Sequence, residues 1–142
     1  MASITNSVPN NTADNGKLIL RVALGVLILF HGMAKVMGGP AFILGVVSKA
    51  GLPPALGYLV YIGEVLAPLL LIVGFWTRAA ALVIAINMIV ALLLVHTGQI
   101  LTLSPQGGWA LELQGMYFFA AIAVALLGAG RHSLGGIHGQ WN

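Results

Sequence analysis

The residues able to do chemistry in this chain stand where a membrane span should be pure hydrocarbon. His31 and Lys35 lie four apart in LFHGMAKVMGG, residues 29–39. That helical spacing puts them on one face, one turn apart. A basic residue at membrane depth costs about 2.5–3.5 kcal/mol on insertion scales, so it normally faces a bundle interior or a wet cavity and finds a partner. The acids are Asp14, Glu64 and Glu112, and the last two also fall in apolar runs. Such a set can hold an anionic oxygen and move protons to it. His31 and Lys35 would supply hydrogen bonds and positive charge, and Glu64 and Glu112 a proton relay. Tyr61, one turn before Glu64, is placed to orient a bound ring or carbonyl.

The elements that must position these residues follow from composition. Charged residues are 6 % and apolar residues 59 % of the 142, against roughly 25 % and 45–50 % in a soluble domain, and the mean hydropathy is +1.00. Such a chain cannot cover a soluble surface. At ~20 apolar residues per span its length predicts one domain, an all-α integral membrane four-helix bundle with short loops. The net charge of +3 comes from scattered residues, Lys17, Arg21, Lys35, Lys49, Arg78 and Arg131, with no cluster to track a phosphate backbone, which excludes a nucleic-acid partner. The absence of cysteine excludes disulfides and thiolate metal sites within the chain.

Residues 1–16 read as a disordered polar tail and residues 131–142 as a C-terminal tail, flanking a membrane domain over 17–130. Its spans are expected at about 18–37, 55–75, 79–96 and 110–127. The charged start resembles a signal peptide, but no small-residue cleavage site follows, so the first span is retained. Gly38-Gly39-Pro40 ends it, and residues 41–54 are too short to cross, which predicts a short helix at the interface. Thr77-Arg78 makes a tight connection. Trp76 and Trp109 suit the interfacial belt. Four spans put both termini and the Arg78 connection on one side, with Lys17, Arg21, Arg78 and Arg131, so the positive-inside rule makes the termini cytoplasmic.

All four spans then bring a titratable group to the outer half: His31 and Lys35, Glu64 about 13 Å deep at 1.5 Å per residue, His96, and Glu112. Pro68 leaves the Glu64 carbonyl without its donor and offers it to a cavity or ligand. Arg21, Gly25, Ile28, Gly32 and Lys35 follow a 4-3-4-3 spacing, a small-residue stripe for close helix approach. Asn87 and His96 are nine apart, on opposite faces, so both cannot enter one site and His96 reads as interfacial. Plainer alternatives stand beside these. Lys35 can snorkel to the headgroups, Glu112 can sit solvated in a first helical turn, and His31 can simply pack. Haem is set aside, because His31 and His96 differ in depth and no second pair exists. No metal site is read.

LGVLILFHGMAKVMGG, with Arg21 before it, resembles the opening signature of the DoxX family, an arginine, an apolar run, then His-Gly-x-x-Lys. The intramembrane glutamate in YIGEVLAPLLLIVGFWTRAAA, with Gly-x-x-Thr-Arg at Gly74, Thr77 and Arg78, agrees with the family. GAGRHSL resembles its closing Gly-Pro-Gly-Arg-Tyr-Ser-Leu-Asp, with Ala129, His132 and Gly135 as departures. The resemblance spans about Lys17 to Leu134. It implies a bacterial inner-membrane four-helix protein linked to oxidoreductase systems. The expected function is a membrane subunit that binds a quinone or similar small redox molecule through His31, Lys35, Tyr61 and Glu64. With no cysteine to store electrons, they would come from a partner protein carrying flavin or metal. The rival is a non-catalytic anchor or assembly subunit in which Lys35 and Glu64 only fix register. A third reading is a small-solute or proton pathway, which would require a homo-oligomer.

Overall fold

The computed structural model describes residues 10–142, so the part of the expected tail over residues 1–9 lies outside the described residues. The described chain is helical, with one isolated bridge, Leu103 to Trp109, in a loop. The first helix, α1, runs Asn11–Gly38. It starts earlier than the span expected at 18. The Asn10 side chain accepts from the Ala13 N–H at 3.2 Å, an N-cap that satisfies an orphan donor. Residues 11–16 are therefore helix and not tail, and Asp14 is buried. Gly39, at φ 79°, ends α1. The short helix α2, Ala41–Lys49, follows.

The next element, Pro54–Val73, is built in three gaits: a 3-10 turn at Pro54–Leu59, a π turn at Ile62–Leu66 and the helix α3, Ala67–Val73. Pro68 is the physical cause of the middle one. It cannot donate to the Glu64 carbonyl, and the ladder slips by one residue, so that the Ala67 N–H bonds the Ile62 carbonyl. Gly74 then closes α3 in the left-handed conformation at φ 73°. Its N–H reaches Leu71 and that of Phe75 reaches Leu70, the paired bonds of a Schellman cap. Helix α4 is Thr77–Val95 and α5 is Glu112–Leu127.

Three elements, Asn11–Gly38, Pro54–Val73 and Thr77–Val95, are long and apolar enough to cross a membrane; Glu112–Leu127 is apolar but shorter, at 16 residues. Large apolar side chains such as Phe30, Leu93 and Phe119 point outward and exposed, as lipid-facing residues do. This is an all-helical membrane protein. Helix α1 packs on α3 and α5, and α4 on the same two. The core between them is Leu24, Ile28, Leu71, Ile84 and Val124 with Ala80, Ala81 and Ala85, whose small size lets helix axes approach.

The expected C-terminal tail is part of this fold. Residues 128–142 fold back over the α3–α4 turn, where Leu134 and Gly135 donate to the Val73 and Gly74 carbonyls. The Asn142 side chain accepts from the Thr77 hydroxyl at 2.8 Å. Two arginines hold the same end. Arg21, 1 % exposed, donates to the carbonyls of Leu71 and Ile72, both at 2.6 Å, Ala129 at 3.2 Å, and His132. Arg78 donates to Ala125 at 2.7 Å, Leu126 at 2.9 Å and Asn142 at 3.0 Å. Each thus satisfies carbonyls that a helix C-terminus leaves open.

Candidate functional site

The site begins with the glycine stripe. A Cβ on Gly25 would stand 2.9 Å from the Pro68 carbonyl oxygen, and one on Gly32 would overlap the Glu64 carbonyl. The backbones of α1 and the Pro54–Val73 segment therefore touch where the π turn lies, and Lys35, one turn beyond Gly32, arrives beside Glu64. The same contact corrects one expectation. The carbonyl freed by Pro68 is covered by Gly32 and is not offered to a ligand.

Glu64 is 5 % exposed and both its oxygens are engaged. Lys35 Nζ donates to Oε2, and Asn87 Nδ2 on α4 donates to Oε1 at 3.2 Å. Gly63 makes room for that amide, since a Cβ there would meet Asn87 Cγ at 2.6 Å. In a low-dielectric interior a lysine and an amide on one carboxylate are the partners a buried charge requires.

Beside this cluster is a cavity of about 130 Å³, whose polar lining is His31, Lys35, Glu64, His96, Gln114 and Tyr117, with Met88 among its apolar walls. His31 and Tyr117 pack edge to face, 5.9 Å between ring centres and 76° apart in plane. His31 is exposed at the helix surface, so this side of the cavity faces outward between α1 and α5. His96 lines the same cavity. Its Nδ1 lies 3.1 Å from Gln99 Oε1, and its Nε2 lies 3.5 Å from Gln114 Nε2.

Of the residues expected from sequence, the fold brings His31, Lys35 and Glu64 together. Tyr61 does not line the cavity: its hydroxyl donates to the Lys35 carbonyl at 3.3 Å, which ties down the end of α1. Glu112 also stands apart, exposed, its carboxylate against Gly108 in the preceding loop. Asn87 and His96 correct the opposite-faces reading, since one bonds Glu64 and the other lines the cavity beside it. The 100° rule fails for His96 because it is the C-cap of α4, at φ −117° and ψ 12°, and has left the helix. Gln114 and Tyr117 were missed. Their signal was a polar pair at i and i+3 on one face of an apolar helix. Among the described residues no group of three or more His, Cys, Asp or Glu is disposed to hold a metal ion.

Compared with known families, residues 16–97 match a family model described as DoxX. Neither the curated proteins nor the solved structures contain a match. The matched region carries His31, Lys35, Glu64, Asn87 and His96, while the α5 wall lies beyond it.

Proposed function

The chain belongs to the DoxX family of membrane proteins, often associated with oxidoreductase-related functions, and from that premise we propose that it is a membrane subunit of an oxidoreductase system that binds a quinone head group. In this reading it is a four-span bundle in a bacterial inner membrane, with α5 as the short fourth span and both termini cytoplasmic. The observation that carries it is the cavity: in a chain almost without charge, His31, Lys35, Glu64 and His96 converge on one space of about 130 Å³.

Size and lining fit the ligand class. An apolar cavity of about 150 Å³ accepts benzene, so this one suits a single ring, with an apolar tail leaving past exposed His31 into lipid. Reducing a quinone to the quinol takes two electrons and two protons; the electrons come from a partner protein carrying flavin or metal. Lys35 and His31 hold the oxygen that gains negative charge, and Glu64 keeps the Lys35 ammonium in place. Asn87 fixes the Glu64 carboxylate in turn.

The test is solvent extraction of the protein, purified in mild detergent, with mass spectrometry for quinones. Wild type is expected to retain near-stoichiometric quinone, and the His31→Ala, Glu64→Gln double variant to lose it. Background quinone in both would overturn the proposal.

A non-catalytic anchor is the rival, and one observation favours it: both Glu64 oxygens are already bonded within the fold. On that reading Glu64→Gln lowers the protein level, and exchanging Lys35 and Glu64 restores it. On ours the level holds and the quinone is lost.

A further inference from the structure

Reduction of a bound ring consumes two protons, and the cavity groups differ in their access to water. Both Glu64 oxygens are taken by Lys35 and Asn87, and the side chain is buried. Lys35 is held by Glu64. His31 is exposed and packs against the Tyr117 ring. His96 is different, because its hydrogen bonds lead from the cavity wall to an exposed loop residue, Gln99.

We propose that His96 is the proton donor of this cavity, passing protons from the Thr97–Gln99 turn to the oxygen of the reduced ligand. The inference rests on the quinone reading and takes over the surface relay role that sequence had given Glu112. The hydrogen-bond partners assign the resting tautomer. Gln99 Oε1 is an acceptor, so Nδ1 carries the proton, and Nε2 accepts from the Gln114 amide. Turned about its Cβ–Cγ bond, the ring takes a proton on Nε2 from water on the loop side, and turned back it presents Nε2–H to the cavity. There the Nε2–H bond breaks and an O–H bond forms on the nearer ligand oxygen, while the opposite oxygen takes its proton from water when the quinol leaves. A partner's flavin or metal supplies the two electrons. The titratable groups facing His96 across the cavity are His31 and Lys35 on α1, Glu64 in the π turn, and Tyr117 on α5.

The experiment loads the full chain, purified in mild detergent, with the single-ring 2,6-dimethyl-1,4-benzoquinone and follows its reduction by dithionite in stopped flow over a series of pH values. Rates are normalised to the free quinone in the same buffers. Dithionite replaces the electron partner, so only the proton supply is probed. In wild type the normalised rate is expected to fall as pH rises. His96→Gln keeps an amide for Gln99 and Gln114 but cannot titrate. It is expected to bind the quinone as wild type does, react about 100-fold more slowly, the low end for a general acid, lose the pH dependence, and recover with added imidazole.

An unchanged rate and pH profile in His96→Gln would overturn the relay and leave the quinone site standing. Loss of binding would make His96 a holding group and also overturn the relay. If wild type itself retains none of this single-ring quinone, the quinone reading fails and this inference with it. Should His96→Gln not fold, Gln99→Leu removes the loop-side bond alone, and a rate equal to wild type there overturns the proposal.

Discussion

The two ends of the helical core treat their principal basic residues in opposite ways. At the Arg21 end, where Arg131 stands 4.0 Å from Asp14 at the surface, Arg21 and Arg78 finish on backbone. Arg21 spreads over carbonyls at the ends of α3 and of the C-terminal segment, and Arg78 over the end of α5. The partial negative charge of a helix C-terminus balances each guanidinium without a carboxylate. At the Lys35 end, polar side chains meet polar side chains, Lys35 and Asn87 on Glu64 and Gln114 on His96, around a cavity. Basic residues at one end thus complete the fold's own orphan groups, whereas those at the other leave space for something else. In a membrane protein this separates architectural charge from candidate functional charge without appeal to residue type, since both ends are basic.

The sharpest way to break the comparison is Arg21→Met. It strands buried carbonyls at about 1–3 kcal/mol for each group left without a partner. We expect little folded protein in detergent, read by thermal melting and size exclusion; a melting curve like wild type would show that this end is not architectural. Gly32→Ala comes next. Its methyl overlaps the Glu64 carbonyl, and overpacking of this kind costs about 1–3 kcal/mol. It should lower the melting temperature and also shed bound quinone, because separating α1 from the π turn moves Lys35 off Glu64. Asn87→Leu follows, about 1.5–3 kcal/mol for one hydrogen bond to a charged group. The expected signature is loss of quinone from protein that still folds in detergent, and quinone retained at a lower melting temperature would move Asn87 to the architectural side. Smallest is Glu112→Gln, an exposed change expected within about 0.5 kcal/mol. Quinone retention equal to wild type places Glu112 outside the site, and its loss would restore the role that sequence suggests for it.

Legibility differed between the two ends for a physical reason. Lys35, Glu64 and the Gly25–Gly32 stripe could be read in advance. An intramembrane charge needs a partner, and small residues at helical spacing mark a close contact. Helix α1 packs through those glycines as the 4-3-4-3 pattern expects. The early start of α1 was not legible, because Asn10 and Asp14 look like tail residues until the C-terminal segment covers Asp14. Arg131, whose backbone N–H donates to Asp14 at 3.3 Å, belongs to that cover. Likewise Arg21 and Arg78 read as topology signals, since nothing in a linear sequence says that helix ends will come within reach of them.

What this sequence determined by itself was a helical membrane protein of the DoxX family with a basic pair and a deep carboxyl meant to meet, because hydropathy, charge scarcity and helical period are properties of the chain. Tertiary structure alone decided which polar residues share the cavity. The slip to a π turn before Pro68, the departure of His96 from the helix at its C-cap, and the return of residues 128–142 over the α3–α4 turn each depend on contacts far apart in the chain. A periodic rule that counts residues along one helix cannot see them.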